Sequence, residues 1–324
     1  MSPRLSAYAS AVLVAVVLLG CDSSGSPATT PPPATTTTQT TTMPGLGKPP
    51  VTIGDKNYTE QFVLGELYFE ALQAQGFQVQ LNPNIGPLPV TLQALSTGQL
   101  AMYPEYLNVW DSQVAGLTHH FTKWQHAYVA GNRYALTHGL ELLDPTPFSD
   151  TGAIAVTDTF AQHNQVRTIG DLRKVAGPLV IGGPPQFQQD PAGLPALESA
   201  YSLIPDSFKP LEIPAQYKAL DQDTIQAAEV NTTDGELTSG DYTLLADPRR
   251  VFGVGNVVPV VSDQALAQEG PAFAEVINRV SALLTLPVIR ELNAEVDVAG
   301  EDPASVARRF LVDHGLIPPS SNVS

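Results

Sequence analysis

The stretch Val51–Gly76, VTIGDKNYTEQFVLGELYFEALQAQG, constrains the fold most. Val51, Thr52 and Ile53 are β-branched and suit a short buried strand, which Gly54 ends. Asp55 to Thr59 is polar and reads as a turn. From about Glu60 onward, Phe62, Leu64, Leu67, Tyr68, Ala71 and Leu72 recur every three or four residues, which predicts a helix with one apolar face. Thr59 is the expected N-cap and Gly76 the expected stop. A strand that passes through a polar turn into a helix sets backbone N–H groups and side chains at the mouth of a cleft. Such a unit opens an α/β domain.

The alternation continues. Gln78–Leu81, Leu100–Tyr106, Ala153–Val156, Leu179–Gly183, Thr224–Val230, Tyr242–Ala246 and Val257–Val261 read as strands. Pro104 is expected to end the second of these, and Pro259 to make the last an edge or crossing strand. Helices are expected over Val90–Gly98, within His119–Leu140, at Ile169–Leu172, over Leu194–Leu203, and in two amphipathic C-terminal segments, Phe273–Leu284 and Pro303–His314. Short connections between strands and helices indicate α/β layers.

Ahead of this body stands a different kind of sequence. Arg4 and the apolar run Ala11–Leu19 have the form of a signal peptide, too short for a comfortable membrane span. The run ends in Leu18-Leu19-Gly20-Cys21, which resembles a bacterial lipobox. Residues 1–20 are therefore expected to be a lipoprotein signal peptide, with Cys21 carrying lipid. Residues 22–50 are Ser-, Thr- and Pro-rich, lack the apolar side chains a core needs, and are expected to form a disordered tether beyond Cys21.

The chain carries 32 acids against 16 lysines and arginines, a net charge of -16, which argues against nucleic acid and anionic lipid as partners. Its single cysteine excludes an internal disulfide. No phosphate-binding glycine loop, nucleophile elbow or zinc-protease helix occurs, so the common enzyme classes and resident cofactors are not expected. His119, His120 and His126 lack the acid or cysteine spacing of a metal site and read as solvated polar residues.

The phrase Gly54-Asp-Lys-Asn-Tyr-Thr-Glu-Gln-Phe-Val-Leu-Gly-Glu-Leu-Tyr resembles the opening of the osmoprotectant-binding proteins of ABC importers, the ProX/OpuC glycine betaine and choline type. The resemblance continues in Met102-Tyr-Pro-Glu-Tyr, Thr168-Ile-Gly-Asp-Leu, Gly193-Leu-Pro, Tyr217-Lys-Ala-Leu, Thr233-Asp-Gly and Glu291-Leu-Asn-Ala-Glu-Val-Asp, in family order across nearly the whole body. It implies a two-lobe, hinged fold of the type II periplasmic binding protein kind. Residues 51–150 with 256–324 would form one lobe and 151–255 the other. It also implies a monomeric, non-catalytic receptor outside the cytoplasm, held to the membrane by lipid on Cys21, which traps a small molecule between its lobes and docks on a membrane permease.

Residue by residue, the family pattern is only partly met. Such receptors hold a quaternary ammonium in an aromatic cage and grip a carboxylate with arginine. Tyr106 and Tyr217 match cage tyrosines, but Asn108 lies in a changed phrase after Tyr106. Gly152 and Asn231 stand where relatives have tyrosine, and Asp190 where they have arginine. Lys56, Tyr58 and Tyr103 are candidate cleft residues, and Gln61 and Gln188 add hydrogen-bonding groups. With half the cage gone and the clamp reversed in sign, the expected ligand is a larger neutral or cationic, hydroxylated molecule without a carboxylate, with or without an aromatic (phenolic) ring to stack on Tyr106 and Tyr217. The alternatives are an ordinary receptor for glycine betaine, choline or carnitine, a ligand sensor, and an enzyme on the same fold.

Overall fold

The computed structural model describes residues 43–319. Cys21, the apolar run before it and residues 22–42 lie outside the described residues. The body is α/β, as the alternation predicts, and carries two sheets. The strands are Val51–Gly54 (β1), Val79–Asn82 (β2), Met102–Tyr106 (β3), Leu140–Leu142 (β4), Gly152–Thr157 (β5), Val180–Gly183 (β6), Ser207–Pro210 (β7), Ala227–Asn231 (β8), Tyr242–Leu244 (β9) and Val257–Ser262 (β10). One five-stranded sheet has the order β2-β1-β3-β10-β4, the other β7-β6-β8-β5-β9.

Each sheet is parallel where a helix crosses over between strands and antiparallel where the chain reverses. Thus β1 runs parallel to β2 and β3, and β6 to β7 and β8, while β10 runs against β3 and β4 and β5 against β8 and β9. The chain leaves the first sheet after β4 and returns to it as β10. The outgoing and returning segments touch in an antiparallel bridge between Ser149 and Asn256.

Burial follows the predicted apolar face except at its start, where Phe62 is only half-buried and Val63 enters the core instead. Leu64, Leu67, Tyr68, Ala71 and Leu72 of the first helix, Thr59–Ala74, pack in one core with Phe273, Ile277, Val280, Val306 and Leu311 of the C-terminal helices. Tyr68 keeps its hydroxyl satisfied by Ser281, 2.9 Å away. Gly76 has φ +83°, the left-handed conformation of a helix stop.

Several expectations are corrected. Tyr58, not Thr59, is the N-cap of the first helix, and no side chain caps it. Thr59 Oγ1 instead donates to Asp297 Oδ1 at 2.6 Å, because a carboxylate delivered by a distant helix is a strong acceptor. Pro104 lies inside β3 rather than ending it. β10 is not an edge strand: it is flanked by β3 and β4. Pro259 faces Pro104 across the β3–β10 register, so the two missing N–H groups fall at one level of the sheet and the remaining pairs continue.

The expected helix within His119–Leu140 begins only at Trp124. Three C-terminal helices stand where two were expected: Pro271–Leu283, Leu286–Asp297 and Pro303–Asp313. The missed helix carries Pro287 in its first turn, where a proline removes no helical hydrogen bond. Residues 43–50, read from composition as tether, lie on the body. Gly45 N donates to Gln75 O at 2.9 Å and Lys48 Nζ to Gln268 O at 3.1 Å. A Cβ on Gly45 would meet Phe77 N at 2.2 Å, so this approach depends on glycine.

Candidate ligand-binding site

The turn after β1 is held by a buried acid. Asp55 accepts from Asn84 N at 2.8 Å, and burial raises its pKa to about 7. A Cβ on Gly65 would lie 2.5 Å from Asp55 Oδ2, so Gly65 in the opening phrase makes room for the carboxyl. This fixes the direction of Lys56. Its ammonium bonds both oxygens of Glu105, at 2.7 and 2.5 Å, and lies 5.6 Å from the Tyr103 ring centre. Tyr103 donates to the same carboxylate at 3.1 Å. Gln61 is fully buried and accepts from Lys56 N at 3.3 Å. Lys56, Gln61 and Tyr103 therefore form an internal network beneath the turn, with the lysine charge matched by Glu105.

Tyr58 and Tyr106 stack at 6.1 Å with their planes 29° apart. Tyr58 is 42% exposed, whereas Tyr106 is 5% exposed and donates its hydroxyl to Glu60 Oε1 at 2.7 Å. The ring on offer to solvent is thus Tyr58. On the second sheet Tyr217 is also buried, edge-on to Tyr242 at 4.9 Å, and donates to Asp234 Oδ2 at 2.8 Å. The same carboxylate oxygen accepts from Asn231 N at 3.1 Å. Neither sequence-matched tyrosine is an open platform here. Each is anchored by an acid, Tyr106 by Glu60 and Tyr217 by Asp234.

Gly152 and Asn231 face one another across β5 and β8. The space beside Gly152 is occupied: a Cβ there would lie 2.8 Å from the Phe252 ring and 3.1 Å from Glu229 Oε1. Phe252 and Glu229 stand where a larger side chain at this position would go. Burial raises the Glu229 pKa to about 8.

Two cavities lie where the parts of the chain that carry the two sheets meet. One, of about 470 Å³, contains Asn108 and Asp190 with Asp111, His120, Phe121 and Phe252 in its wall. Asp190 is exposed there and accepts from Ala192 N at 2.8 Å. Gln188 is exposed and lines neither cavity. The other cavity, of about 390 Å³, contains Tyr58 and Asn231. Its wall also holds Glu60, Asp150, Asp234, Glu236, Asp297 and Asn293, and no lysine or arginine. Burial raises the pKa of Glu60, Asp150 and Glu236, and that of Asp234 to about 7. Arg290, the cation whose charge acts on Asp234, donates its Nε to Thr232 O at 2.7 Å.

The sequence reading missed these acids. Glu60 reads as a helix-dipole residue in a first turn, and Asp234 as turn chemistry. Asp150 and Asn293 carry no local pattern at all. Only the placement of Thr233-Asp-Gly and Glu291-Leu-Asn-Ala-Glu-Val-Asp among the family phrases marks their neighbourhood. In the structure these two phrases meet. Asn293 Nδ2 donates to Thr233 O at 2.9 Å, and a Cβ on Gly235 would lie 2.6 Å from Ala294 Cα.

Comparison with known proteins agrees with this architecture. Residues 49–313 match the family described as the substrate-binding domain of ABC-type glycine betaine transport systems. The glycine betaine-binding protein YehZ of Escherichia coli strain K12 is 28% identical over 288 residues, covering 85% of this chain and 93% of that protein. A glycine-betaine-binding protein of Pseudomonas aeruginosa is 28% identical over 278 residues, covering 82% and 88%. A crystal structure described as a glycine betaine/carnitine/choline ABC transporter superposes with a TM-score of 0.76 at 22% identity, covering 82% of this chain and 99% of that one. The fold is that of type II periplasmic substrate-binding proteins.

Proposed function

The chain belongs to the family of substrate-binding domains of ABC-type glycine betaine transport systems, and on that premise we propose that its inter-sheet cleft takes a neutral or cationic, hydroxylated ligand without a carboxylate. It is a substrate-binding protein of an ABC importer, which works with a membrane permease, and not an enzyme. The observation that carries the ligand reading is the wall of the 390 Å³ cavity, which presents five carboxyl groups and no lysine or arginine. A betaine carboxylate entering it would meet like charge. Hydroxyls would find acceptors on every side, and an aromatic ring would find the exposed face of Tyr58 rather than Tyr106 or Tyr217.

In this reading residues 51–150 and 256–324 form one lobe, residues 151–255 form the other, and the bridged segments at Ser149 and Asn256 are the hinge. One sheet on each side of the bridge supports that division. Asn108, Gly152, Gln188 and Asp190 bear on the ligand only as the second lobe closes. Lys56, Gln61 and Tyr103 act by holding the floor of the cleft. The apolar run before Cys21 supports a lipid anchor on that residue, and the receptor works as a monomer. Cys21→Ser should then move the protein from the detergent phase to the aqueous phase.

A second reading, a receptor for glycine betaine, is favoured by the two bacterial relatives, which are glycine betaine-binding proteins. A thermal-shift screen separates the two, using betaine, choline, carnitine, ectoine, sugars and phenolics. A ligand at a hundred times its Kd stabilises by about 2.7 kcal/mol. The largest shift with betaine would overturn the carboxylate-free reading. A larger shift with a hydroxylated neutral or cationic compound supports it.

A further inference from the structure

The wall of the 390 Å³ cavity is rich in acceptors. Glu60, Asp150, Asp234, Glu236 and Asp297 face it, and two acceptors in its wall have no partner. Asn293 is 4% exposed and gives both hydrogen bonds of its amide nitrogen inward, to Glu60 Oε2 at 3.0 Å and Thr233 O at 2.9 Å. Those two acceptors fix the orientation of the amide, and its oxygen is left unsatisfied. Asp150 Oδ1 is buried and unsatisfied as well. A buried acceptor without a donor costs about 1–3 kcal/mol, so a wall that leaves two of them is completed by what binds there.

From this geometry we propose that the cavity binds an organic cation through its N–H groups, a primary or secondary ammonium or a guanidinium, and selects against a quaternary ammonium. A quaternary ammonium has no hydrogen to donate. It would neutralise charge but leave Asn293 Oδ1 and Asp150 Oδ1 unpaired in a drier site. A protonated amine supplies charge and donors together, and hydrogen bonds from a charged donor are the strong ones. A bare metal ion does not fit the same wall. Among the described residues no group of three or more His, Cys, Asp or Glu is arranged to hold one. The exposed side chains of Tyr58 and Ile213 give the cavity an apolar flank suited to a carbon skeleton. The positive charge of such a cation would favour the ionised carboxyls that burial disfavours.

This inference rests on the receptor reading and narrows it to one ligand class. The test is calorimetric titration of the wild-type chain with ethanolamine, N-methylethanolamine, N,N-dimethylethanolamine and choline, a series that loses N–H groups while keeping its charge. Putrescine and agmatine extend it to a second amine and a guanidinium. The inference expects Kd to rise along the methyl series, with choline at least tenfold weaker than ethanolamine. Asn293→Ala should weaken the N–H cations about tenfold, and Asp150→Asn gives an isosteric check should Asn293→Ala fail to fold. Choline binding as tightly as ethanolamine would overturn the inference, as would silence from all six compounds or displacement of putrescine by calcium. The receptor reading is judged separately, by whether deleting the gene abolishes uptake of whichever compound binds. It would survive any of those three results.

Discussion

Glu60 accepts from the Tyr106 hydroxyl at 2.7 Å, so the ring that matches the family's cage is tied to an acid that the cage does not need. Glu60 also accepts from Asn293, across a sequence separation of 233 residues. One carboxyl thus joins the first helix, β3 and the helix Leu286–Asp297 at the edge of the cavity. Glu60→Ala removes the acceptor for two buried donors. The expected loss is about 2–5 kcal/mol, read as a lowered Tm, with a larger loss than for Glu60→Gln, which keeps one oxygen.

The Lys56–Glu105 pair gives a second prediction. The Glu105 side chain is fully buried and Lys56 largely so. Lys56→Met strands a buried carboxylate and should cost about 3–5 kcal/mol. Pairing it with Glu105→Gln removes the stranded charge, keeps an amide acceptor beside Tyr103, and should recover part of that loss. Chemical denaturation of the two single variants and the double variant measures this. Additive losses would refute the pairing as the source of the cost.

Titration gives a third. Burial raises the pKa of Asp234 to about 7 and that of Glu229 to about 8, while Glu60, Asp150 and Glu236 move in the same direction. Tyr58, Tyr217, Asp297 and Arg290 complete the charged and titratable surroundings. A carboxyl with a raised folded-state pKa holds its proton when the unfolded chain has released it. Its contribution to stability is complete below about pH 4 and is lost as pH rises through about 7 to 8. The Tm of the ligand-free protein should therefore fall between pH 5 and 8. Cation binding should tighten over the same range and release protons, which calorimetry in buffers of different ionisation enthalpy will count.

Gly152 gives a fourth. Gly152→Tyr alone should destabilise, because its Cβ would lie 2.8 Å from the Phe252 ring. With Phe252→Ala the ring gains space. The double variant should then bind choline more tightly by about 0.5–2 kcal/mol of cation–π attraction. No gain in the double variant would show that Phe252 does not stand in for a cage ring.

Much of the body is readable along the chain because strand and helix leave local periodic signals. Val51–Ile53, Ala153–Val156 and the Phe62–Leu72 face needed no partner to be recognised. Prolines misled wherever the tertiary setting supplied the compensation. Pro104 and Pro259 are both tolerated inside a sheet because they face one another across the β3–β10 register. The lower end of the tether misled for a related reason. Its composition forms no core of its own, yet Gly45 fits against a surface built by residues 75–77.

The site divides the same way. The order of the family phrases is a property of the chain, and it marks Tyr58, Tyr106, Tyr217 and Asn231 as candidates for one cleft. Whether a tyrosine is a binding face or a buried strut is a property of what packs on it. Tyr58 keeps 42% of its surface open, whereas Tyr106 is closed between the Tyr58 ring and the Glu60 carboxyl that its hydroxyl bonds. The acid wall is set by the tertiary structure alone. Glu60, Asp150, Asp234 and Asp297 are scattered in sequence, and none of them alone reads as part of a binding site. Desolvation and charge act through space, so only folding made them one site.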